Sequence, residues 1–183
     1  VTSSSPYLDP VFPDISERNA DTVSFGKIIH TQYEYGTIIS FGKNETAQIH
    51  QVTGWSYPEE GFTWTNGHNA VLAIQTKDRN SDLILKFVAS PYLGGGAVDQ
   101  QQVTIKVNGH WIGTWSFDQP GIQEKIAVIP HTILEEDVQH IAFELPDAES
   151  PYNLRQSGDP RNLALAVRSM VIECEDRPKN TRD

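Results

Sequence analysis

The feature that most constrains the fold of this chain is a series of short segments in which large apolar residues recur at every second position. In one of them, Val103, Ile105 and Val107 are separated by polar residues. Three further rows have the same spacing: Ala70, Leu72 and Ile74; Ile141, Phe143 and Leu145; and Leu163, Leu165 and Val167. Successive side chains of a strand point to opposite faces, so this spacing predicts strands that bury one face.

Turn residues separate these segments at short intervals. Asn108 and Gly109 lie between residues 102–107 and 111–117, and Asn-Gly is the preferred pair of a type I′ hairpin because both residues tolerate positive φ. Residues 83–88 are almost continuously apolar, which predicts a central strand covered on both faces. Weaker strand candidates are residues 24–29, 37–41, 48–52, 63–66, 111–117 and 125–129, and a helical turn is predicted only within residues 130–137.

So many short strands with so little helix predict an all-β fold. We expect a jelly-roll-like β-sandwich of two antiparallel sheets, similar to a carbohydrate-binding module. The length of 183 residues suits one domain, which we place at residues 23–173, between an irregular N-terminal arm at 1–22 and a charged C-terminal tail at 174–183. Because the chain starts at Val1 with neither Met nor a signal peptide, we expect it to be a piece of a longer protein.

The net charge narrows the classes of partner. It is −10, from 14 basic and 24 acidic residues. Nucleic acids and anionic membranes attract clusters of Lys and Arg, and no such cluster occurs, so no nucleic-acid partner is expected. No apolar segment approaches the roughly 20 residues that span a bilayer, so we expect no direct membrane insertion. Neutral ligands such as glycans are not penalised by this charge.

The sequence contains no recognisable pattern for catalysis or metal binding. None of the six His residues pairs with another at metal-ligand spacing, and the single Cys174 excludes a Cys-based zinc site. Structural calcium is common in sandwiches of this kind, but no Asp-rich loop marks it here. We therefore predict no catalytic residue, no metal site and no cofactor, and leave structural calcium open as an alternative. Glu59 and Glu60 are adjacent and point in opposite directions on an extended chain, although a pair of distant acids, as in a glycoside hydrolase, stays open.

Residues 54–67 are the segment richest in aromatic side chains. They include Trp55, Tyr57, Phe62 and Trp64. Sugar rings stack their C–H faces on aromatic rings, while carboxylates accept hydrogen bonds from sugar hydroxyls. We therefore predict that a loop here binds a glycan through Trp55, Tyr57, Glu59 and Trp64. The alternative for each Trp is a place in the hydrophobic core.

A second Trp pair lies on the strand after the Asn-Gly turn. Trp111 and Trp115 are four residues apart, so both are predicted to face the same side of the sheet. We interpret them as core residues rather than as a ligand platform.

The long polar loop at residues 150–163 is the second candidate ligand segment. Asp159 and Arg161 lie two residues apart in it. The planar fork of Arg binds carboxylates bidentately, so the two side chains are predicted either to pair and pin the loop or to hydrogen-bond a ligand.

Three ordered motifs give the chain a family resemblance. They are Gly54-Trp55-Ser56-x-Pro58-Glu59-x-Gly61-x-x-Trp64; Gln101-x-Val103-x-Ile105-x-Val107-Asn108-Gly109; and Leu145-Pro146-Asp147-Ala148-x-Ser150-Pro151 followed by Asp159-x-Arg161-x-Leu163-Ala164-Leu165-Ala166. Over residues 25–173 they resemble the C-terminal β-domain found on bacterial phosphoglycerol transferases that modify periplasmic glucans, and on some membrane glycosyltransferases. Glu60 stands where that family has Trp, and Ala164 stands where it has Gly.

The resemblance implies an extracytoplasmic domain, periplasmic or at the cell surface, tethered through a parent membrane protein. It assigns no functional residues. The leading hypothesis is a non-catalytic accessory domain that binds a carbohydrate or glycolipid, or positions it for the parent catalytic domain. The alternatives are a purely structural or oligomerisation module of such an enzyme and, third, a small glycoside hydrolase.

Overall fold

A computed structural model describes residues 32–76, 80–135 and 137–174 of the chain. The predicted arm at 1–22 and the strand candidate at 24–29 lie outside these residues, as does the predicted tail after Cys174. Within the described part the strands are β1 (Ile39–Ser40), β2 (Gln51–Thr53), β3 (Trp55–Glu59), β4 (Phe62–Asn66), β5 (Asn69–Gln75), β6 (Leu83–Pro91), β7 (Gln101–Val107), β8 (His110–Phe117), β9 (Gln123–Ile129), β10 (Val138–Glu144) and β11 (Leu163–Cys174). Its helical segments are three short 3₁₀ turns at Thr46–Ile49, Gly94–Gly96 and His131–Ile133, the last of which lies within the predicted 130–137.

The strands form two antiparallel sheets. One has five strands in the order β2-β5-β10-β7-β8. The other has six, in the order β3-β4-β11-β6-β9 with β1 also paired to β11, and we call it the six-stranded sheet. The chain changes sheet at most of its connections and keeps only the β3–β4 and β7–β8 hairpins within one sheet, as a jelly roll does. The predicted all-β sandwich of two antiparallel sheets is therefore confirmed.

The core lies between the sheets and is built from the inward positions of the alternating strands. Phe87 of β6 meets Phe143 of β10 with ring centroids 4.9 Å apart and Trp115 of β8 at 5.4 Å. All four predicted rows lie in strands or at a strand end, and each of their members is buried. In these four rows, alternation was therefore a sufficient signal for burial.

The predicted hairpin turn forms between β7 and β8. Asn108 has a φ of 50° and Gly109 a φ of 82°, which is the left-handed pair that a type I′ turn requires. The prediction for residues 83–88 was wrong in one respect. In β6 only the inward positions such as Leu85 are buried, while the alternate positions such as Ile84 are partly exposed, because the described strands place no second sheet over that face.

The predicted common orientation of Trp111 and Trp115 was also wrong. Trp115 is 7% exposed in the core, whereas Trp111 is 65% exposed on the opposite face. The register between β7 and β8 shifts between Ile105 and Lys106. An extra residue in one strand of a pair turns the following side chains to the other face, and this irregularity separates the two indoles.

Candidate functional site

The segment predicted as an aromatic loop is instead the β3–β4 hairpin. β3 is the edge strand of the six-stranded sheet and contains Pro58. Proline lacks an amide donor, so an edge strand or a bulge is where a sheet tolerates it. The pairing of Trp55 with Thr65 and of Pro58 with Thr63 leaves the bulge residues Ser56 and Tyr57 opposite Trp64.

Gly54 marks the crossing from β2 in one sheet to β3 in the other. Its φ is +78°, and a Cβ atom at this position would lie 1.9 Å from the backbone oxygen of Asn69. The Gly54 carbonyl accepts a 2.8 Å hydrogen bond from the amide of Asn66. Only glycine fits this crossing, which sets where the hairpin leaves the edge of the sandwich.

Trp55 anchors the hairpin to the core. Its ring packs against Phe41 with centroids 5.2 Å apart. Its indole N–H donates a 2.9 Å hydrogen bond to the carbonyl of Val71 in the five-stranded sheet. Trp55 therefore ties the two sheets together, and only part of its surface faces solvent.

Arg161 joins the two segments that the sequence singled out. Its Nε donates to both carboxylate oxygens of Asp159 at 3.0 and 3.1 Å, and its Nη2 donates to Oδ2 at 2.6 Å. Its Nη1 donates to the hydroxyl of Ser56 at 2.6 Å and lies 3.7 Å from Oε1 of Glu59. One guanidinium thus connects the 150–161 loop to the edge strand β3.

Electrostatics in the loop follow from these contacts. The side-chain hydrogen bonds from Arg161, together with its backbone N–H, hold the pKa of Asp159 below its ordinary value. The pKa of Glu149 is lowered mainly by the backbone N–H of Ser150 and also by the side chain of Asn153. Both carboxylates therefore stay ionised and serve as acceptors within the loop.

The loop is closed at its base by a reciprocal pair of backbone hydrogen bonds between Glu149 and Leu163, of 3.0 and 2.9 Å. Inside it, the Tyr152 amide donates to the carbonyl of Asp159 at 2.9 Å. On its far side, Gln156 accepts a 2.8 Å hydrogen bond from the Tyr92 hydroxyl. The loop thus contacts the segment that follows β6 as well as the edge strand β3.

An open depression of about 640 Å³ lies where the hairpin and the loop meet. We call it the hairpin depression. Its lining residues are Gln51, Trp55, Ser56, Tyr57, Pro58, Asn66 and Arg161. Tyr57 is 90% exposed at its margin, so its whole ring is available to a ligand.

Three rings form a row on the outer face of the six-stranded sheet, which we call the aromatic row. Phe62 and Trp64 of β4 meet edge to face with centroids 5.8 Å apart, and Trp64 meets Tyr92 in the same way at 6.1 Å. Tyr92 directly follows β6, and β11, which lies between β4 and β6, presents Ala166 directly opposite Trp64. Because this side chain is small, the half-buried Trp64 and Tyr92 rings can meet above β11.

The structure therefore places the six predicted site residues in one region. Trp55, Tyr57 and Arg161 line the hairpin depression, Glu59 and Asp159 lie on either side of the Arg161 guanidinium, and Trp64 belongs to the adjoining aromatic row. Sequence reasoning missed Tyr92 and did not assign Phe62 to the site. Phe62 lies two residues before Trp64, so the period of a strand was an available signal. Tyr92 is brought in by the pairing of β6 with β11, for which the sequence carries no local signal.

The described residues offer neither a metal centre nor a membrane-spanning helix. No group of three or more His, Cys, Asp or Glu side chains there could hold a metal ion. No helix in the same part of the chain has the length and apolar composition needed to span a membrane.

Comparison with known proteins returned no matching family model and no matching curated protein. Among solved structures, the chain is similar to the CBM36-1 domain of a multidomain xylanase from the hindgut metagenome of Trinervitermes trinervoides, with a TM-score of 0.48 and 12% identity over 77% of this chain and 98% of that one. It is also similar to a family 35 carbohydrate-binding module from Clostridium thermocellum, with a TM-score of 0.43 and 10% identity over 76% and 99%. A GH115 4-O-methyl-α-glucuronidase gives a TM-score of 0.48 and 8% identity over 79% of this chain and 18% of the enzyme. Likenesses of this size carry no functional information, so function has to be inferred from the chain's own surface.

Proposed function

We propose that this domain is a non-catalytic module that binds a glycan across the aromatic row and the hairpin depression. The observation that carries the proposal is that the three outward-facing rings of the aromatic row lie next to the bulged edge strand β3. The Tyr57 ring of that strand is almost fully exposed to solvent. Rings offer stacking surface to the C–H face of a sugar. The depression beside them offers Asn66 and Ser56 as hydrogen-bonding groups, which is the combination that sugar hydroxyls require.

The site suits binding better than bond cleavage. A glycosidase needs a carboxylic acid whose pKa is raised so that it can donate a proton. The pKa of Asp159 is lowered instead, and both Asp159 and Glu59 face the same guanidinium. A shallow open depression also desolvates few ligand atoms, so we expect dissociation constants of about millimolar to micromolar.

We further propose that the domain serves an enzyme of the bacterial envelope that modifies a polysaccharide or glycolipid. The support is the ordered set of three motifs and their resemblance to the β-domains of phosphoglycerol transferases and membrane glycosyltransferases. On this proposal the domain is extracytoplasmic, tethered through its parent membrane protein, and holds the substrate for the parent's catalytic domain. Linear and branched glucans are the first ligands to test.

The test is a glycan array followed by calorimetric titration of each hit against Trp64→Ala and Tyr57→Ala. We expect each substitution to weaken binding, and Trp64→Ala to do so by about tenfold or more, because a central aromatic ring contributes more than about 1.4 kcal/mol at such sites. Trp111→Ala is the matched control, since it removes an exposed indole from the other sheet. Equal affinity for all four proteins, or no hit on any glycan, would contradict the proposal.

One observation favours a structural or oligomerisation role as the second candidate. β9 is an edge strand, and its Ile126 and Val128 are 54% and 46% exposed on the outer face. Nearby Ile122 is 61% exposed. An edge strand with apolar side chains is a ready surface for another chain. Sedimentation at increasing protein concentration tests this role: self-association that Ile126→Lys abolishes supports it, and a monomer throughout counts against it.

A further inference from the structure

Arg168 is a cation for which the described residues supply no acceptor. It extends from β11, is half-buried, and its Cζ lies 5.6 Å from the centroid of the Phe62 ring. Among the described residues its buried Nε has no hydrogen-bond partner, and none of their carboxylates lies within salt-bridge distance of it. A guanidinium carries five N–H donors in a planar fork. Buried donors normally have partners, so a guanidinium with an unsatisfied Nε is unusual.

Arg161 provides the contrast within the same molecule. Asp159 occupies its fork and Glu59 lies near its remaining nitrogen. The charge of Arg161 is therefore compensated locally. Arg168, further along β11, has no such carboxylate among the described residues, which leaves its charge available to a ligand.

The hairpin turn approaches the fork of Arg168 at a glycine. A Cβ atom at Gly61 would lie 3.8 Å from Nη1 of Arg168, and Gly61 has a φ of +77°, which favours glycine. The turn therefore passes at van der Waals distance without placing a side chain there. Glu60 and Glu45 lie in the turns nearby, but neither forms a salt bridge with Arg168.

We propose that Arg168 binds an anionic substituent, a carboxylate or a phosphate, on the glycan that stacks on the aromatic row. Phe62 connects Arg168 to the aromatic row, because its ring contacts both the Arg168 guanidinium and the Trp64 ring. A planar fork held against a ring is the arrangement that binds oxyanions bidentately. This inference rests on the proposed function and specifies its ligand class as an acidic glycan.

The experiment follows the backbone amide resonances of β4, together with the side-chain Nε–Hε resonance of Arg168 in the wild-type protein, by NMR in titrations of the domain with glucose, glucuronate, glucose phosphate and inorganic phosphate. The three sugars share one ring and differ in the substituent. We expect the acidic sugars to bind at least about tenfold more tightly than glucose, and added salt to reduce only that advantage. Tighter binding of glucuronate identifies the anionic substituent as a carboxylate, and tighter binding of glucose phosphate identifies it as a phosphate.

Three variants complete the design, and the melting temperature of each shows whether it is folded. Arg168→Gln should bind all three sugars with the affinity of glucose, while Arg168→Lys should keep part of the preference because it retains charge without a planar fork. Trp64→Ala should weaken all three sugars together. If wild-type protein and Arg168→Gln bind the sugars equally well, the inference is overturned and the proposed function stands. If no sugar shifts the β4 amide resonances, whether or not inorganic phosphate does, both the inference and the proposed function fail.

Discussion

At the scale of single residues, Gly54 holds a backbone conformation and a close approach that no larger residue accommodates. Its positive φ alone costs a non-glycine residue about 1–3 kcal/mol. A Cβ atom added at this position would approach the Asn69 carbonyl oxygen to 1.9 Å, which would add a steric cost. The hairpin that carries Trp55 and Tyr57 begins at this residue, so stability and site geometry depend on it together.

We expect Gly54→Ala to lower the free energy of unfolding by more than Gly109→Ala does. Both glycines have positive φ, at +78° and +82°, but a Cβ at Gly109 meets nothing within 4 Å. Both substitutions should therefore incur the strain of about 1–3 kcal/mol, and only Gly54→Ala should incur the overlap as well. Urea denaturation of the two variants measures the difference. Equal losses of unfolding free energy in the two variants would contradict this expectation, because they would show that the backbone at Gly54 accommodates a Cβ atom without a steric cost.

A second residue-scale expectation concerns the titration of Asp159. Its carboxylate accepts a 3.0 Å hydrogen bond from the Arg161 amide, and its pKa lies below the ordinary 3.8. Because the pKa of Asp159 is depressed in the folded state, its pairing with Arg161 stabilises the fold at pH values above the unfolded-state pKa. That stabilisation is lost as the pH falls through the folded-state pKa. The NMR shift of the Arg161 amide should therefore titrate with a midpoint below 3.8. Asp159→Asn should abolish that titration. A midpoint at or above the ordinary pKa of Asp would be incompatible with the pairing of Asp159 with Arg161.

At the scale of elements, alternation predicted most strands but not the orientation of every side chain along them. The rows that include Val103 and Leu72 were correct because their own strands contain no inserted residue; where the β7–β8 register shifts, the extra residue lies in β8. β3 was missed as a strand because Pro58 and neighbouring glycines are typical of loops, and its place at the sheet edge was not visible locally. Trp111 was assigned to the wrong face because a register shift lies in the hairpin beside it.

The two indoles of β8 test that register shift. Trp115→Ala should lower the free energy of unfolding by about 3–5 kcal/mol, since it empties a core position next to Phe87. Trp111→Ala should change it by no more than about 0.5 kcal/mol, as an exposed substitution does. Guanidinium denaturation of both variants gives the comparison. A large loss for Trp111→Ala would mean that its side chain is packed rather than exposed.

At the scale of the whole molecule, the sequence predicted the architecture and the two site segments, but not how they meet. The pairing of Asp159 with Arg161 could be predicted because the two residues lie only two positions apart in the sequence. The contact of Arg161 with Ser56, and that of Trp64 with Tyr92, depend on the strand order β3-β4-β11-β6. Long-range strand pairing has no local sequence signal, so the aromatic row became visible only in the folded chain.

The most direct measurement of the central claim is amide chemical-shift mapping with a glycan identified on the array. If the aromatic row and the hairpin depression form the binding surface, the largest shifts should fall in β3, β4 and the 150–161 loop, with Trp64 and Tyr57 among them. Shifts centred on Trp111 and the outer face of the five-stranded sheet would contradict the account, as would a uniform absence of shifts.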